Sequence, residues 1–182
     1  MIQIHDKQFV PFISEEELDR IVSEMADRIN RDYYGKRPVI IGILNGSFMF
    51  LSDLMKKLEI DVELSFLKFS SYHGIQSTGT VKQLIGLADE LDDRHVLVLE
   101  DIVDTGNTLE KILSVLESHD LQSLKIGTLL VKPEVFQNKY DLDYVGTEIP
   151  DKFVVGYGLD YDELGRNLKQ IYQLAEQGGI ND

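Results

Sequence analysis

Apolar residues along this chain occur either in short continuous runs or in stretches where they recur every three or four positions. Residues 39–44, 96–99 and 124–131 form continuous runs, which are typical of strands buried on both faces of a parallel sheet. Residues 62–69 alternate instead, as a half-buried strand does. Further short strands are predicted at residues 81–87, 144–149 and 153–159.

Helical spacing marks several of the stretches between these runs. Ser14 and Glu17 form a capping box, in which the serine caps the first helix and Glu17 reaches back. Gly35 is the predicted stop of that helix. Its apolar face consists of Leu18, Ile21, Val22, Met25 and Ile29. Residues 48–58 and 109–116 are also predicted helices, and residues 165–175 are predicted as a weaker last helix.

Residues 70–80 fit neither period. They are polar and contain two glycines, Gly74 and Gly79, so they are predicted to form a loop. Eleven residues are long for a loop of a compact α/β domain, and such loops are often lids. The alternative is a simple hairpin tip, with residues 81–87 as the return strand.

The order of these elements predicts the fold class. Alternating strands and helices with an inserted hairpin indicate an α/β protein with a mostly parallel, doubly wound sheet flanked by helices. Three polar clusters follow core strands, at Asn45-Gly46-Ser47, at residues 100–108 and at Lys132. Because ligands of open α/β sheets bind beyond the carboxyl ends of the strands, these clusters are expected to converge on one site.

Composition narrows the class of protein. At 182 residues the chain fits one domain, and 43% hydrophobic with 27% charged residues is typical of a soluble globular protein. The net charge of -14 argues against a nucleic-acid partner. With no cysteine, disulfides and zinc–thiolate sites are excluded. No signal-like start and no bilayer-length apolar run is found, so a cytoplasmic location without a membrane partner is expected.

The richest chemistry lies after the run at residues 96–99. Thr105-Gly106-Asn107-Thr108 offers backbone N–H groups and hydroxyls at a helix N-terminus, which suits a phosphate. Glu100 and Asp101 would repel that phosphate, so they fit sugar hydroxyls, a metal ion or proton transfer. Neither a GxxxxGK[ST] nor a GxGxxG pattern is present. What remains is a monophosphate cradle beside two carboxylates, suited to a ribose phosphate or to Mg²⁺.

Three segments resemble one family. Residues 99–108 resemble the phosphoribosyl-pyrophosphate (PRPP) signature of the type I phosphoribosyltransferases. Residues 150–161, with Arg166, resemble the purine-binding segment of the hypoxanthine-guanine branch of that family. Ser71-Tyr72 with residues 76–79 resembles its flexible lid. The resemblance runs from about Val39 to Leu168, which is most of the chain.

The resemblance implies a fold and an activity. Residues 1–182 would be a single phosphoribosyltransferase domain, with a lid at about 70–80 and a small hood from the N- and C-terminal segments. The reaction would transfer the 5-phosphoribosyl group of PRPP to hypoxanthine or guanine, giving IMP or GMP and pyrophosphate in purine salvage. The family suggests a homodimer or homotetramer.

The resemblance also implies roles for individual residues of the PRPP signature. Asp104 would be the general base or acid at purine N7, while Glu100 and Asp101 would hold the ribose hydroxyls. The residues wrapping the 5′-phosphate would be Thr105, Gly106, Asn107 and Thr108. The residues contributing to PRPP binding from the pyrophosphate loop and the lid would be Asn45, Gly46, Ser71 and Tyr72.

Further roles fall on the C-terminal half. Lys132 would donate to purine O6, Phe153 would stack on the base, and the Val154 backbone would read its edge. Asp160, in the purine-binding segment, would ligate Mg²⁺ together with the acids of the PRPP signature. Arg166 would meet pyrophosphate as a bidentate cation.

The chain departs from the family pattern at one position. The pyrophosphate loop of the family often carries a basic residue where this chain has Asn45. The family uses backbone N–H groups in this loop, together with a non-proline cis peptide that would fall at Leu44–Asn45. The change at Asn45 bears on the affinity for pyrophosphate.

Other interpretations stay open from the sequence. Taken alone, Asp104 would be an ordinary helix N-cap, Lys132 a surface lysine and Phe153 a core residue. An aspartate-nucleophile phosphatase or a phospho-receiver domain also places acids at strand ends. A regulator that keeps the phosphoribosyltransferase fold and binds RNA would need a basic patch. An enzyme that prefers xanthine would differ from one that prefers hypoxanthine or guanine in contacts to the base that the sequence does not display.

Overall fold

The computed structural model of the chain describes residues 1–70, 82–85, 91–137 and 139–175. Apart from Ser70, the predicted lid lies outside the described residues, and so do its proposed PRPP contacts Ser71 and Tyr72. In chain order the elements are β1 (Ile2–Ile4), β2 (Lys7–Ile13), α1 (Glu15–Asp32), β3 (Val39–Leu44), α2 (Phe48–Lys57), β4 (Glu63–Ser70), β5 (Lys82–Ile85), β6 (His95–Val103), α3 (Asn107–Leu116), β7 (Ser123–Val131), α4 (Pro133–Phe136), β8 (Tyr144–Glu148), β9 (Val154–Val155) and β10 (Ile171–Leu174).

A six-stranded sheet forms the centre of the molecule, with the strand order β5-β4-β3-β6-β7-β8. The strands from β4 to β8 in that order are parallel, and β5 is antiparallel to β4. The predicted α/β fold class is confirmed, and the apolar run at Val39–Leu44 coincides with β3. Within the described ranges, no helix is both long enough and apolar enough to span a membrane.

The central strand β6 is buried on both faces. Leu97 and Leu99 pack in a core cluster with the apolar sides of α1 and α2. Val96 and Val98 pack in a second cluster, which includes α3. Because each face of the strand meets a helical layer, its apolar residues form a continuous run rather than an alternating one.

A second, four-stranded antiparallel sheet has the order β1-β2-β10-β9. It joins the N-terminal segment to the C-terminal one, since Leu174 of β10 pairs with Phe9 of β2 and Tyr172 pairs with Val155 of β9. The predicted helix at 165–175 is therefore wrong. The spacing of Leu168, Ile171 and Leu174 fits a helix, but pairing with distant strands outweighs that local preference.

The predicted strand at 153–159 is also shorter than expected. After β9 the chain turns sharply, because Gly156, Tyr157 and Gly158 have φ values of 100°, 52° and 105°. Such positive φ values are open to glycine and uncommon for other residues, so the strand ends there. The turn directs the following segment back toward the carboxyl ends of the main sheet.

The first helix begins as the sequence predicts. Ser14 is its N-cap, and the serine hydroxyl accepts a hydrogen bond from the Glu17 N–H at 3.2 Å. The second half of the capping box is wrong, because the Glu17 carboxylate accepts from Arg20 at 2.6 and 3.0 Å instead of reaching back. An arginine one turn later supplies a charged donor, which forms the stronger type of hydrogen bond.

Candidate active site

A cavity of about 330 Å³ opens at the carboxyl ends of β3 and β6. The loop between β3 and α2 forms one wall, and the segment from the end of β6 into α3 forms the other. Its lining residues are Ile43, Leu44, Gly46, Glu100, Asp101, Ile102, Val103, Asp104, Thr105, Gly106, Asn107, Thr108 and Lys111. Two of the three predicted polar clusters therefore do converge on one site.

The two vicinal acids lie inside β6 rather than after it. The strand continues to Val103, with Glu100 in register with Thr128 of β7. Glu100 is 4% exposed, and Asp101 is partly buried. The sequence placed the end of the strand at the acids because its apolar run stops there, but pairing with β7 holds the backbone extended as far as Val103, two residues beyond Asp101.

Burial sets the electrostatics of this acid pair, and the Asp101 charge adds to its effect on Glu100. Desolvation, with the neighbouring Asp101 charge as a second cause, raises the pKa of Glu100 to about 8. Desolvation also raises the pKa of Asp101 to about 6, against the opposing effects of backbone hydrogen bonds from Ile102 and Asp101 and of the Arg166 charge. Hydroxyl donors or a cation placed beside these carboxyls would favour their charged forms.

Gly46 packs against this acid pair. A Cβ at Gly46 would overlap with the Asp101 carboxylate, so only glycine fits between the loop and the acid. A Cβ at Gly158 would in turn overlap with the Gly46 carbonyl oxygen. The turn that follows β9 therefore packs against this wall of the cavity. The Leu44–Asn45 peptide bond in this wall is cis, as the resemblance implies.

The turn between β6 and α3 has the geometry of an anion cradle. Gly106 is the N-cap of α3 with φ 79°, where a side chain would be strained and would crowd Phe136. The first helical hydrogen bond runs from the Glu110 N–H to the Gly106 carbonyl at 3.0 Å. The N–H groups of the first turn lie before that bond and at the positive end of the helix dipole.

Lys132 reaches the edge of this site from the end of β7. Its side chain is only 8% exposed, and its ammonium contacts the Asp104 carboxylate at 3.1 Å. It contacts the Asp151 carboxylate at 3.0 Å from another side. The interpretation of Lys132 as a surface lysine is therefore wrong, because the side chain is buried and held by two acids.

Phe153 lies on the surface instead of in the core. It is 44% exposed, and its ring is flanked by Tyr161 at 5.7 Å and Phe9 at 6.3 Å between centroids. The next residue, Val154, is buried in β9. An exposed ring fixed by aromatic neighbours offers a stacking surface for a planar base.

Asp160 and Arg166 form an ion pair at 2.7 Å. The Arg166 guanidinium also donates to the Gly158 carbonyl at 2.9 Å, which ties the pair to the turn against Gly46. Both charges act on Asp101, since Arg166 lowers its pKa and Asp160 raises it. The predicted magnesium ligand and the predicted pyrophosphate residue therefore lie together near the acids of β6.

One predicted site residue lies away from the cavity, two lie outside the described residues, and sequence reasoning missed two further residues. Asn45 does not line the cavity. Its carbonyl accepts a hydrogen bond from the Phe48 N–H at 3.4 Å, at the start of α2. Ser71 and Tyr72 fall outside the described residues. Sequence reasoning overlooked Lys111, which lines the cavity one turn into α3, and Asp151, which holds Lys132.

The donor set suits a hard cation bound mainly through water and substrate. Among the described side chains, no group of three or more His, Cys, Asp or Glu residues is arranged to hold a metal ion. Mg²⁺ does not need such a cage, because it usually retains several waters and binds one or two carboxylates plus substrate phosphates. Asp101 and Asp160, which influence each other electrostatically, fit that mode.

A mostly parallel sheet with an acid pair and an anion-binding turn at one strand end is the arrangement expected of a type I phosphoribosyltransferase. The family model described as "Phosphoribosyl transferase domain" matches residues 14–162, and the chain belongs to this family.

Individual relatives point to one branch of the family. The hypoxanthine-guanine phosphoribosyltransferase of Staphylococcus aureus is 45% identical over 166 residues, which cover 91% of this chain and 93% of that protein. The enzyme of the same name from Staphylococcus epidermidis is 46% identical over the same shares. A crystal structure of a Bacillus anthracis hypoxanthine-guanine phosphoribosyltransferase has a TM-score of 0.84 at 40% identity, covering 93% of this chain and 100% of that one.

Proposed function

We propose that this protein transfers the 5-phosphoribosyl group of PRPP to hypoxanthine and guanine, giving IMP and GMP with release of pyrophosphate. The relatives that are 45% and 46% identical are named for this activity. The observation that carries the assignment to a 6-oxopurine is the buried Lys132 ammonium beside Asp104, at the edge of the acid-lined cavity. An ammonium donates hydrogen bonds and accepts none, so it selects a base with an oxygen at position 6.

The sugar phosphate would occupy the cavity. The 5′-phosphate would accept hydrogen bonds from the backbone of Thr105, Gly106, Asn107 and Thr108. Glu100 and Asp101 would accept from the ribose hydroxyls, which would offset the unfavourable burial of their charges. Because Gly46 packs directly against Asp101, the loop backbone would lie close to a ribose held by that acid.

The base would lie between the cavity and the four-stranded antiparallel sheet. Phe153 would stack on its ring, the Val154 backbone would contact its edge, and Lys132 would donate to O6. Asp104 would accept the proton of purine N7 as the bond from N9 to the ribose carbon forms. Asp104 is 48% exposed and can reach the base, and Asp151 would still balance the Lys132 charge after Asp104 has accepted the proton.

The pyrophosphate leaving group would depart on the side of the ribose carbon opposite the base. The bond from the ribose carbon to pyrophosphate breaks through an oxocarbenium-like state, as in other glycosyl transfers. Arg166 and the backbone N–H groups around Gly46 would bind the departing pyrophosphate. Mg²⁺, held by Asp101 and Asp160 with Glu100 nearby, would neutralise charge on the pyrophosphate.

Four further proposals follow from the sequence and the family resemblance. Residues 1–182 would act as one phosphoribosyltransferase domain, with the small sheet as its hood. The protein would assemble as a homodimer or homotetramer, and it would work in the cytoplasm. Residues 70–80 would close over the substrates as a lid, which would exclude water and prevent hydrolysis of PRPP.

The test is to incubate the protein with PRPP, Mg²⁺ and hypoxanthine and to follow IMP and pyrophosphate together. We expect equal amounts of the two products, and no IMP when Mg²⁺ is chelated. A parallel mobility-shift experiment with RNA examines the regulator alternative. RNA binding without formation of any nucleotide would overturn the proposed function, as would pyrophosphate release without IMP.

A further inference from the structure

The Lys132 ammonium is held by two carboxylates that come from different parts of the chain. Asp104 follows β6, and its Oδ2 lies 3.1 Å from Lys132 Nζ. Asp151 precedes β9, and its Oδ1 lies 3.0 Å from the same nitrogen. The family motifs assign roles to Lys132 and Asp104, whereas Asp151 has none.

Backbone contacts hold these residues in place. The Lys132 N–H donates to the Val103 carbonyl at 3.0 Å, next to Asp104. The Ile149 N–H donates to the Val131 carbonyl at 2.9 Å, and the Lys152 N–H donates to the Pro150 carbonyl at 2.7 Å. The loop that carries Asp151 is therefore anchored beside Lys132, which keeps the exposed Asp151 side chain within reach of the ammonium.

Asp104 and Asp151 each accept a hydrogen bond from the Lys132 ammonium. A lysine ammonium has three N–H donors, and among the described residues two of them have acceptors, so one remains for a ligand. If Asp151 were absent, Asp104 would be the only anion that the described part of the chain places beside this buried cation. Their attraction would then draw Lys132 toward Asp104, because opposite charges interact strongly where water is excluded.

We propose that Asp151 is a positioning residue for purine recognition, an inference that rests on the proposed function. It pulls the Lys132 ammonium away from Asp104 and so aims the remaining donor at O6 of the base. Asp151 itself touches no substrate. Its effect should therefore appear only with ligands that have an oxygen at position 6, and only while Lys132 is present.

Equilibrium binding of two nucleotides tests this without relying on turnover. IMP carries O6, whereas purine riboside 5′-monophosphate lacks it and keeps N7, the ribose and the phosphate. By calorimetry we expect Asp151→Ala to lower the affinity for IMP about fivefold. This is the upper end of the range that ion pairs with one exposed partner contribute. The affinity for purine riboside 5′-monophosphate should change by less than about twofold. Asp151→Glu should restore part of the IMP affinity.

A double-mutant cycle with Lys132→Met separates positioning from a structural role. In the Lys132→Met background, Asp151→Ala should have no further effect on IMP binding. Asp27→Ala is the matched control, because Asp27 is an exposed carboxylate of α1 for which the described residues show no ion pair. Thermal midpoints of all variants show whether they fold, and Asp151, with a side chain 58% exposed, should tolerate alanine.

Several outcomes would overturn the inference. One is an equal loss for both nucleotides in Asp151→Ala, and another is an undiminished loss in the Lys132→Met background. Failure of the wild-type protein to bind IMP would overturn it as well. If IMP binds and the cycle behaves as expected but PRPP and hypoxanthine give no IMP, the proposed function fails while the role of Asp151 in recognising O6 stands.

Discussion

Asp104 is the side chain on which the proposed proton transfer depends. It is half exposed to the cavity and is paired with a buried ammonium, so it can contact a ligand while its charge is balanced. Glu100 and Asp101, four and three residues earlier, are more deeply placed in β6 and suit hydroxyl groups. Exposure therefore separates the roles of three acids that look alike in the sequence.

The substitution Asp104→Asn tests this division. The asparagine side chain would keep the size of the aspartate but could not accept a proton, so turnover should fall about 10²- to 10⁴-fold. The KM for PRPP should stay within about threefold, because the acids and the turn that hold PRPP are unchanged. Steady-state kinetics measure both values, with Asp27→Asn as the control. Turnover like that of the wild type would contradict the role of Asp104.

Replacing Lys132 by alanine tests recognition of the base. The change removes the donor to O6 and leaves the phosphate turn intact, so the KM for hypoxanthine should rise at least about tenfold. The KM for PRPP should change much less. Lys36→Ala is a suitable control, since Lys36 is exposed and lies just before β3, at the opposite edge of the sheet. Equal losses for both substrates would argue against the assignment.

At the scale of elements, the loop between β3 and α2 is fitted closely to the end of β6. The Ser47 hydroxyl is buried and donates to the Ile43 carbonyl at 2.6 Å, which closes the loop on itself. Gly46 then meets the Asp101 carboxylate on one side, and its carbonyl meets Gly158 on the other. One small loop thus connects the main sheet to the turn that carries Asp160 and Arg166.

Gly46→Ala should displace the Asp101 carboxylate. A shift of about 1 Å in a positioned group can lower activity by about 10²-fold, so we expect a loss of that order in kcat/KM for PRPP. Gly35→Ala is the matched control, because Gly35 has φ 70° but no atom within 4 Å of an added Cβ. It should lose some stability and no activity. If Gly46→Ala kept full activity, the close packing would have no catalytic importance.

The elements also show where prediction from the sequence succeeds and fails. The strand β3 and the Ser14 cap were predicted because burial on both faces and a cap hydroxyl are local patterns. The strand β10 was mistaken for a helix because its pairing with β2 depends on residues more than 150 positions away. Asp151 was missed for a similar reason, since its place depends on how its loop is anchored to β7.

For the whole molecule, topology brings the site together. Parallel strands put Gly46, the acids of β6 and Lys132 at one edge of the main sheet. The antiparallel sheet built from both terminal segments supplies Phe153 and Val154 beside that edge. The sequence predicted the convergence of the strand ends and, at residues 153–159, the strand that contains β9, whereas β1, β2 and β10 became visible only in the structure.

In the proposed reaction the chain binds PRPP in the cavity and selects a 6-oxopurine through Lys132. Steady-state kinetics with saturating PRPP and Mg²⁺, comparing hypoxanthine, guanine, xanthine and adenine, test it most directly. Hypoxanthine and guanine should form nucleotides. Adenine presents an amino donor to the ammonium, so its kcat/KM should be lower by about 10²-fold or more. Comparable use of adenine, or no nucleotide from any of the four bases, would contradict the claim.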